Sequence, residues 1–259
     1  MYFDVSPDAY ARFMGRYSEQ LAAAFADLAG VGPGPGPGPG PGQQVLDVGC
    51  GPGALTAELI RRLGAKAVTA IDPSESFVAA DQARWPEVDI RLGAAEELPF
   101  TDGVFDVALA QLVVHFMTDP VAGLREMGRV TRPGGTVAAA VWDHAGGRGP
   151  LTVFWEVVRD LDPAVDDGSW RPGGSEGELA ALFTQAGLDV ADEAALTVSV
   201  RNTTFEDWWD PFTLGVGPAG SYIASLTDDN RAELREHARQ KLSPPIEVTA
   251  TAWAVTARR

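Results

Sequence analysis

The residues with the clearest chemical content lie at 47–53, where Asp47 sits inside an apolar run and Gly49, Gly51 and Gly53 follow at alternate positions. Glycine adopts backbone conformations closed to other residues and lets a ligand approach the main chain. The apolar stretch 45–48 reads as a buried strand and 54–60 as a helix, so the turn joins strand to helix. A second acid, Asp72, lies 19 residues past Gly53 at the end of another apolar run. A carboxylate there can accept hydrogen bonds from both hydroxyls of a ribose. Turn and acid together imply a ligand that contains a nucleoside.

Charge narrows the choice. Gly49, Gly51 and Ala54 also satisfy the relaxed G-x-G-x-x-A pattern of nicotinamide and flavin enzymes, so an NAD(P)-dependent oxidoreductase has to be weighed. Asp47 stands two residues ahead of the turn, where it repels a pyrophosphate and suits an ammonium or sulfonium. Pro52 removes a backbone N–H from a loop that would need donors for phosphate. A ribose with a cationic tail and no phosphate describes S-adenosylmethionine.

These residues need a scaffold, and the sequence alternates the parts of one. Short apolar, β-rich runs at 45–48, 67–71, 88–92, 105–110 and 136–141 are separated by helical patterns at 54–64, 74–84 and 119–130. That alternation implies βαβ units and a parallel sheet with helices on both faces. Helical patterns at 151–161 and 176–186 lead to strands at 188–200 and 246–257, with an aromatic-rich segment between them. The expected class is α/β: a Rossmann-like, doubly wound, mostly parallel seven-stranded sheet with an N-terminal helix and a helical cap inserted before the last strand.

The expected division is an N-terminal helix at 1–31, a Gly–Pro linker at 32–43, a cofactor-binding core at 44–202, a cap at 203–243 and the final strand at 244–259. Ser6 and Pro7 read as N-cap and first helical position. Tyr10, Phe13, Met14, Tyr17, Leu21, Phe25 and Leu28 follow on one helical face. Residues 32–42 alternate glycine and proline, a semi-extended linker without chemistry of its own.

Composition sets outer limits. The net charge of −16 over 259 residues argues against nucleic acid and anionic membranes as partners. One cysteine, Cys50, excludes an internal disulfide and fits a reducing compartment. No run approaches the ~18 apolar residues of a membrane span, and the opening residues, without a basic start or a long apolar stretch, lead to the expectation of no signal peptide. The expectation is a soluble cytoplasmic protein of undetermined oligomeric state. One cysteine and three scattered histidines show no metal-ligand spacing, so no metal site is expected.

The stretches Val45-Leu46-Asp47-Val48-Gly49-Cys50-Gly51-Pro52-Gly53, Ala70-Ile71-Asp72-Pro73-Ser74 and Ala95-Glu96-Glu97-Leu98-Pro99-Phe100 resemble the class I S-adenosylmethionine-dependent methyltransferases. Phe105-Asp106-Val107 and Arg132-Pro133-Gly134-Gly135 resemble later motifs of that family, so the likeness covers about 44–142. Tyr10 to Tyr17 resembles the closing helix of its small-molecule subgroup, which implies that the helix at 1–31 is a lid. The resemblance implies that Gly49, Cys50, Gly51 and Gly53 contact the methionine part, with Asp47 near its amino group. It implies that Asp72, with Pro73 and Ser74, holds the ribose, and that Ala95 and Glu96 flank the adenine. Ala94 departs from the Asp that many relatives carry there. Gln111 would face the methionine end, while Tyr10 closes over the cofactor and Arg16 reaches its carboxylate.

The reaction so implied is methyl transfer to a small-molecule acceptor, with a cofactor-binding role without methylation as the alternative. The protein then mainly orients the nucleophile and excludes water. A general base is needed only for a weakly acidic hydroxyl or amine, and His115, after the fourth strand, is the candidate. His115 also fits a pocket-lining role, and His144 follows another strand end. Trp142, Asp143, Trp208 and Trp209 are the further acceptor-side candidates, although the last two fit a small core beneath the cap equally well.

Overall fold

The computed structural model describes residues 7–32, 42–167 and 171–259. The expected N-cap Ser6 and the Gly–Pro tract at 33–41 lie outside the described residues. Helix α1 (Pro7–Tyr10) runs through one π-helical turn (Ala11–Gly15) into α2 (Arg16–Leu28). Its apolar stripe buries Phe13, Tyr17, Leu21 and Phe25. Burial of one stripe, rather than propensity alone, is what holds such a helix in place.

The central strands read as apolar runs because helices cover both of their faces. All four residues of β1 (Val45–Val48) are buried. After α3 (Ala54–Leu63), β2 (Val68–Asp72) pairs parallel to β1. After α4 (Glu75–Arg84), β3 (Asp89–Leu92) pairs parallel to β2. The chain then crosses back, and β4 (Phe105–Gln111) lies on the other side of β1. Helix α5 (Pro120–Val130) leads to β5 (Thr131–Trp142), again parallel. This strand starts before the expected residue 136, because Thr131 already pairs with Phe105. The register resumes at Val107–Thr136, so 132–135 form a bulge.

Helices α6 (Thr152–Leu161) and α7 (Glu178–Gln185) precede β6 (Asp189–Asn202). Between β6 and β7 (Ile246–Arg258) lie α8 (Phe205–Trp209), α9 (Gly217–Ser225) and α10 (Asp228–Lys241). Strand β7 inserts antiparallel between β5 and β6, giving the order β3-β2-β1-β4-β5-β7-β6. The expected α/β class with a mostly parallel seven-stranded sheet is the observed one.

Side chains alternate across each strand. In β1, Leu46 and Val48 enter the core layer shared with Leu124, Met127 and Phe183. Val45 enters the opposite layer, with Leu21, Leu55, Trp155 and Trp208. Asp47 has the parity of Val45. The winding direction reverses between β1 and β4, and in such sheets ligands bind beyond the strand ends at that point.

Candidate functional site

The turn after β1 is held by the neighbouring strand. The backbone N–H groups of Gly49 and Cys50 both donate to the Ile71 carbonyl, at 2.7 and 3.1 Å. Gly49 has φ +70°, and a Cβ built there would lie 2.5 Å from Val113 Cγ2, beyond the end of β4. Only glycine allows the two strand ends to approach so closely. At Gly53 (φ +82°) a Cβ would meet the Trp85 ring at 2.4 Å. Gly51 is open, with nothing within 4 Å of its Cβ position.

A cavity of about 260 Å³ opens over this turn, walled by the ends of β1 to β4. Asp47, Gly49, Cys50, Gly51, Asp72, Pro73, Ser74, Ala95, Glu96, Gln111 and Tyr10 all line it, so eleven of the thirteen expected cofactor residues converge. The other two do not. Gly53 serves as N-cap of α3 and packs towards Trp85 and Asp81. Arg16 donates from Nη1 to the Asp207 carbonyl at 3.2 Å, which ties the N-terminal helix to α8 instead of reaching the cavity.

Two carboxylates dominate the electrostatics. Asp72 accepts from Gly51 N–H and Ser74 N–H, both at 2.8 Å, one on each oxygen. Asp47 accepts from Thr56 Oγ1 at 2.6 Å. Burial pushes the Asp47 carboxyl up to about 7 against that hydrogen bond, and the charges of Asp81 and Asp72 add to the rise. Asp81, on α4, was not expected here. Its carboxyl is also pushed up to about 7, chiefly by burial, and its Oδ2 is buried with no hydrogen-bond partner among the described residues. Its position just behind the glycine turn depends on how α4 packs.

The remaining walls follow from strand ends and caps. Gln111 Nε2 donates to the Ser18 carbonyl at 3.0 Å, joining β4 to α2, while its Oε1 is buried without a partner among the described residues. Glu96 Oε1 accepts from Thr118 N–H at 2.7 Å and from Asp119 N–H at 3.3 Å. Tyr10 packs edge-on against Phe77 with ring centroids 5.8 Å apart. Burial, with a smaller contribution from Asp72, pushes the Tyr10 hydroxyl up to about 12. Phe77 is an unexpected wall residue that its place in the first turn of α4, three residues after Ser74, could have signalled.

A second cavity of about 100 Å³ adjoins the first, and both are lined by Tyr10, Leu112 and Phe116. Its walls include Phe13 and Met14 from the π turn, together with Trp142 and Trp155. His115 and His144 stand side by side in it, with ring centroids 5.3 Å apart. Burial, then the neighbouring His144 and the positive field of Arg171, hold His115 well below the usual histidine range, and burial with the field of Arg171 brings His144 down to about 4. Arg159 and Arg171 also line the cavity, and neither was expected from sequence.

Three expected acceptor residues lie elsewhere. Trp208 and Trp209 are buried in an aromatic cluster: Trp208 meets Phe212 edge-on at 5.1 Å, and Trp209 stacks on Phe205 at 6.0 Å. They are packing residues of the segment between β6 and β7 and line neither cavity. Asp143 is buried and spent on structure, accepting from Gly146 N–H at 2.9 Å and pairing with Arg148. Trp142 is the last residue of β5 and Asp143 the first beyond it, where its carboxylate and carbonyl hold the turn to Gly146 and Arg148.

The larger cavity fits a cationic nucleoside. It offers two buried carboxylates on a turn with an open glycine, and an unpartnered amide oxygen, Gln111 Oε1, for an ammonium. Among the described residues, no cluster of basic side chains that could bind phosphate lines it.

Comparison with known proteins agrees. Residues 46–139 match the family described as a methyltransferase domain. A probable S-adenosylmethionine-dependent methyltransferase of Mycolicibacterium smegmatis is 34% identical over 154 residues, covering 58% of this chain and 53% of that protein. A demethylmenaquinone methyltransferase of Mycolicibacterium vanbaalenii is 38% identical over 122 residues, covering 47% of this chain and 52% of that protein. The chain spans about half the length, or less, of the curated relatives it matches. Among solved structures, a Bacillus halodurans protein assigned as a methyltransferase superposes with a TM-score of 0.58 at 18% identity, covering 92% of this chain and 97% of that one.

Proposed function

We propose that residues 46–139 act as a methyltransferase domain of the class I S-adenosylmethionine-dependent family, with S-adenosyl-L-methionine as methyl donor, and that the chain transfers a methyl group to a small molecule. The observation that carries the reading is the pair of cavities joined at Tyr10, Leu112 and Phe116, one suited to the donor and the other to an acceptor. The name of the demethylmenaquinone methyltransferase among the relatives supports a small-molecule acceptor. No helix of the described residues is long and apolar enough to cross a membrane.

On this reading Asp72 accepts from the ribose hydroxyls, and Pro73 and Ser74 complete that wall. Asp47 and Gln111 receive the amino group, and Gly49, Cys50 and Gly51 bring the backbone against the methionine part. Ala95 and Glu96 flank the adenine. The bound donor supplies a methyl group already activated on a sulfonium. What the chain contributes is orientation and exclusion of water, by Tyr10 and Phe116 at the junction and by Trp142 and His115 on the acceptor side. Residues 1–31 act as a lid and 203–243 as a cap on the core formed by 44–202 and 244–259, with 32–43 as linker.

Calorimetry with S-adenosylmethionine and S-adenosylhomocysteine tests the first half, and transfer of labelled methyl to small carboxylates, phenols and amines tests the second. Micromolar binding of both ligands is expected. Tighter binding of NADH would revive the dinucleotide reading, and binding without any transfer would leave a cofactor-binding protein that does not methylate.

A further inference from the structure

The geometry points to an apolar organic acid, bound as its carboxylate, as the methyl acceptor: the second cavity gathers His115, His144 and Arg171 within aromatic walls, beside a donor cavity that gathers Asp47, Asp72 and Glu96. This deepens the methyltransferase reading and rests on it.

The two cavities carry opposite charge in a chain of net charge −16. Among the described residues lining the second cavity, Asp167 is the one carboxylate, and it is paired with Arg159 at 2.6 Å. Arg171 is therefore the positive charge left facing that space. Its guanidinium lies over the Phe116 ring at 5.3 Å, and burial lowers its pKa against the field of Asp166. A guanidinium in such a setting gains most from a carboxylate, which it can bind through two parallel hydrogen bonds.

The histidines complete the fit. His115 Nδ1 and His144 Nε2 are both buried without a hydrogen-bond partner among the described residues. Each neutral ring still has one N–H to donate. Their surroundings make them poor bases: with His144 brought down to about 4 and His115 well below its usual range, neither is matched to a hydroxyl of pKa near ~10. A carboxylic acid, with a pKa near ~4, arrives already ionised and needs no base. His115 thus changes role, from the base expected in sequence to a hydrogen-bond donor for an anion.

The step balances without a proton. A lone pair of the carboxylate oxygen forms the new bond to the methyl carbon, and the carbon–sulfur pair returns to sulfur. Anion and sulfonium become a neutral ester and a neutral thioether. Opposite lining charges orient the two reactants before the step, Arg171 towards the carboxylate and Asp47 and Asp72 towards the donor.

The test titrates the full chain, saturated with S-adenosylhomocysteine, with benzoate, phenol, benzyl alcohol and benzylamine, using calorimetry and ligand-observed saturation-transfer NMR. Benzoate should bind about tenfold or more tighter than the other three. Arg171→Gln should weaken benzoate by about tenfold, the size of one lost charged hydrogen bond, and Arg171→Lys should recover part of it. Affinity for S-adenosylhomocysteine should stay unchanged in both variants, which also reports that they fold. Equal or tighter binding of phenol or benzylamine, no benzoate binding, or an unaltered benzoate affinity in Arg171→Gln overturns the proposal while leaving donor binding intact. Failure of the wild-type chain to bind S-adenosylhomocysteine removes both readings together.

Discussion

The backbone N–H of Gly51 donates to Asp72 Oδ2 at 2.8 Å, so the acid that ends β2 fixes the turn that follows β1. The other oxygen of Asp72 accepts from Ser74 N–H, at the start of α4. One carboxylate therefore organises two loops of the donor cavity. It has acceptor capacity left for a ribose, because a carboxylate offers about four lone-pair sites.

Replacing Asp72 should accordingly cost more than one ligand contact. Asp72→Asn keeps one acceptor oxygen and should weaken S-adenosylhomocysteine by about tenfold. Asp72→Ala releases both backbone donors and should cost about 3 kcal/mol of binding, more than a hundredfold. Calorimetry reads both values. Equal losses in the two variants would mean that the loop-holding role is not felt.

Donor affinity should depend on pH through Asp47. Its folded carboxyl is raised to about 7, above the ordinary 3.8, so the folded state keeps a proton that the unfolded chain loses between about 4 and 7. Stability of the ligand-free protein therefore falls as pH rises through that window. A cationic donor prefers the ionised carboxylate, so its affinity should rise across the same window and its binding should release protons. Asp81 titrates in the same range and adds to the effect. Calorimetry near pH 6.5 in buffers of different ionisation enthalpy measures the release, and Asp47→Asn should reduce it. Thr56→Val, which removes the hydrogen bond that lowers this carboxyl, should move the midpoint upward.

Gly49→Ala should be severe. The new methyl would sit in a left-handed conformation and 2.5 Å from Val113. Strain and overpacking each cost about 1–3 kcal/mol. Thermal unfolding of Gly49→Ala, Val113→Ala and the double variant separates them: the double variant should regain the part due to overpacking and not the part due to φ.

Trp208 and Trp142 should divide stability from binding. Trp208 is 1% exposed inside the aromatic cluster, so Trp208→Ala should lose about 3–5 kcal/mol of folding stability. At a temperature where the variant is folded, benzoate affinity should be close to that of wild type. Trp142→Ala opens the acceptor wall and should change that affinity. A Trp208 variant with normal stability and altered acceptor binding would return this residue to the site.

Much of the donor site was legible because it is encoded locally. Asp47 lies in β1 and Gly49 and Gly51 follow it, Asp72 ends β2 with Pro73 and Ser74 just after, and both groups lie at the switch point that βαβ alternation dictates. The acceptor side was less legible. His115 and His144 lie a few residues beyond the ends of neighbouring strands, β4 and β5, so their meeting follows from strand order once that order is known. Arg171 comes from the stretch between α6 and α7, where no periodicity forecasts a position. Trp208, Trp209 and Asp143 show the opposite failure. Their chemistry suited a pocket, and packing turned them into core or turn-holding groups.

The sequence by itself determined the α/β alternation, the glycine turn and the two acids whose charge suits a cationic nucleoside, because each is a matter of residue type at fixed spacing. Tertiary structure alone decided which aromatic rings face the acceptor, that Asp81 stands behind the turn, and that Arg171 joins two neutral histidines in one apolar space. Those outcomes depend on how separate elements pack, and burial then sets the charge state that gives each group its role.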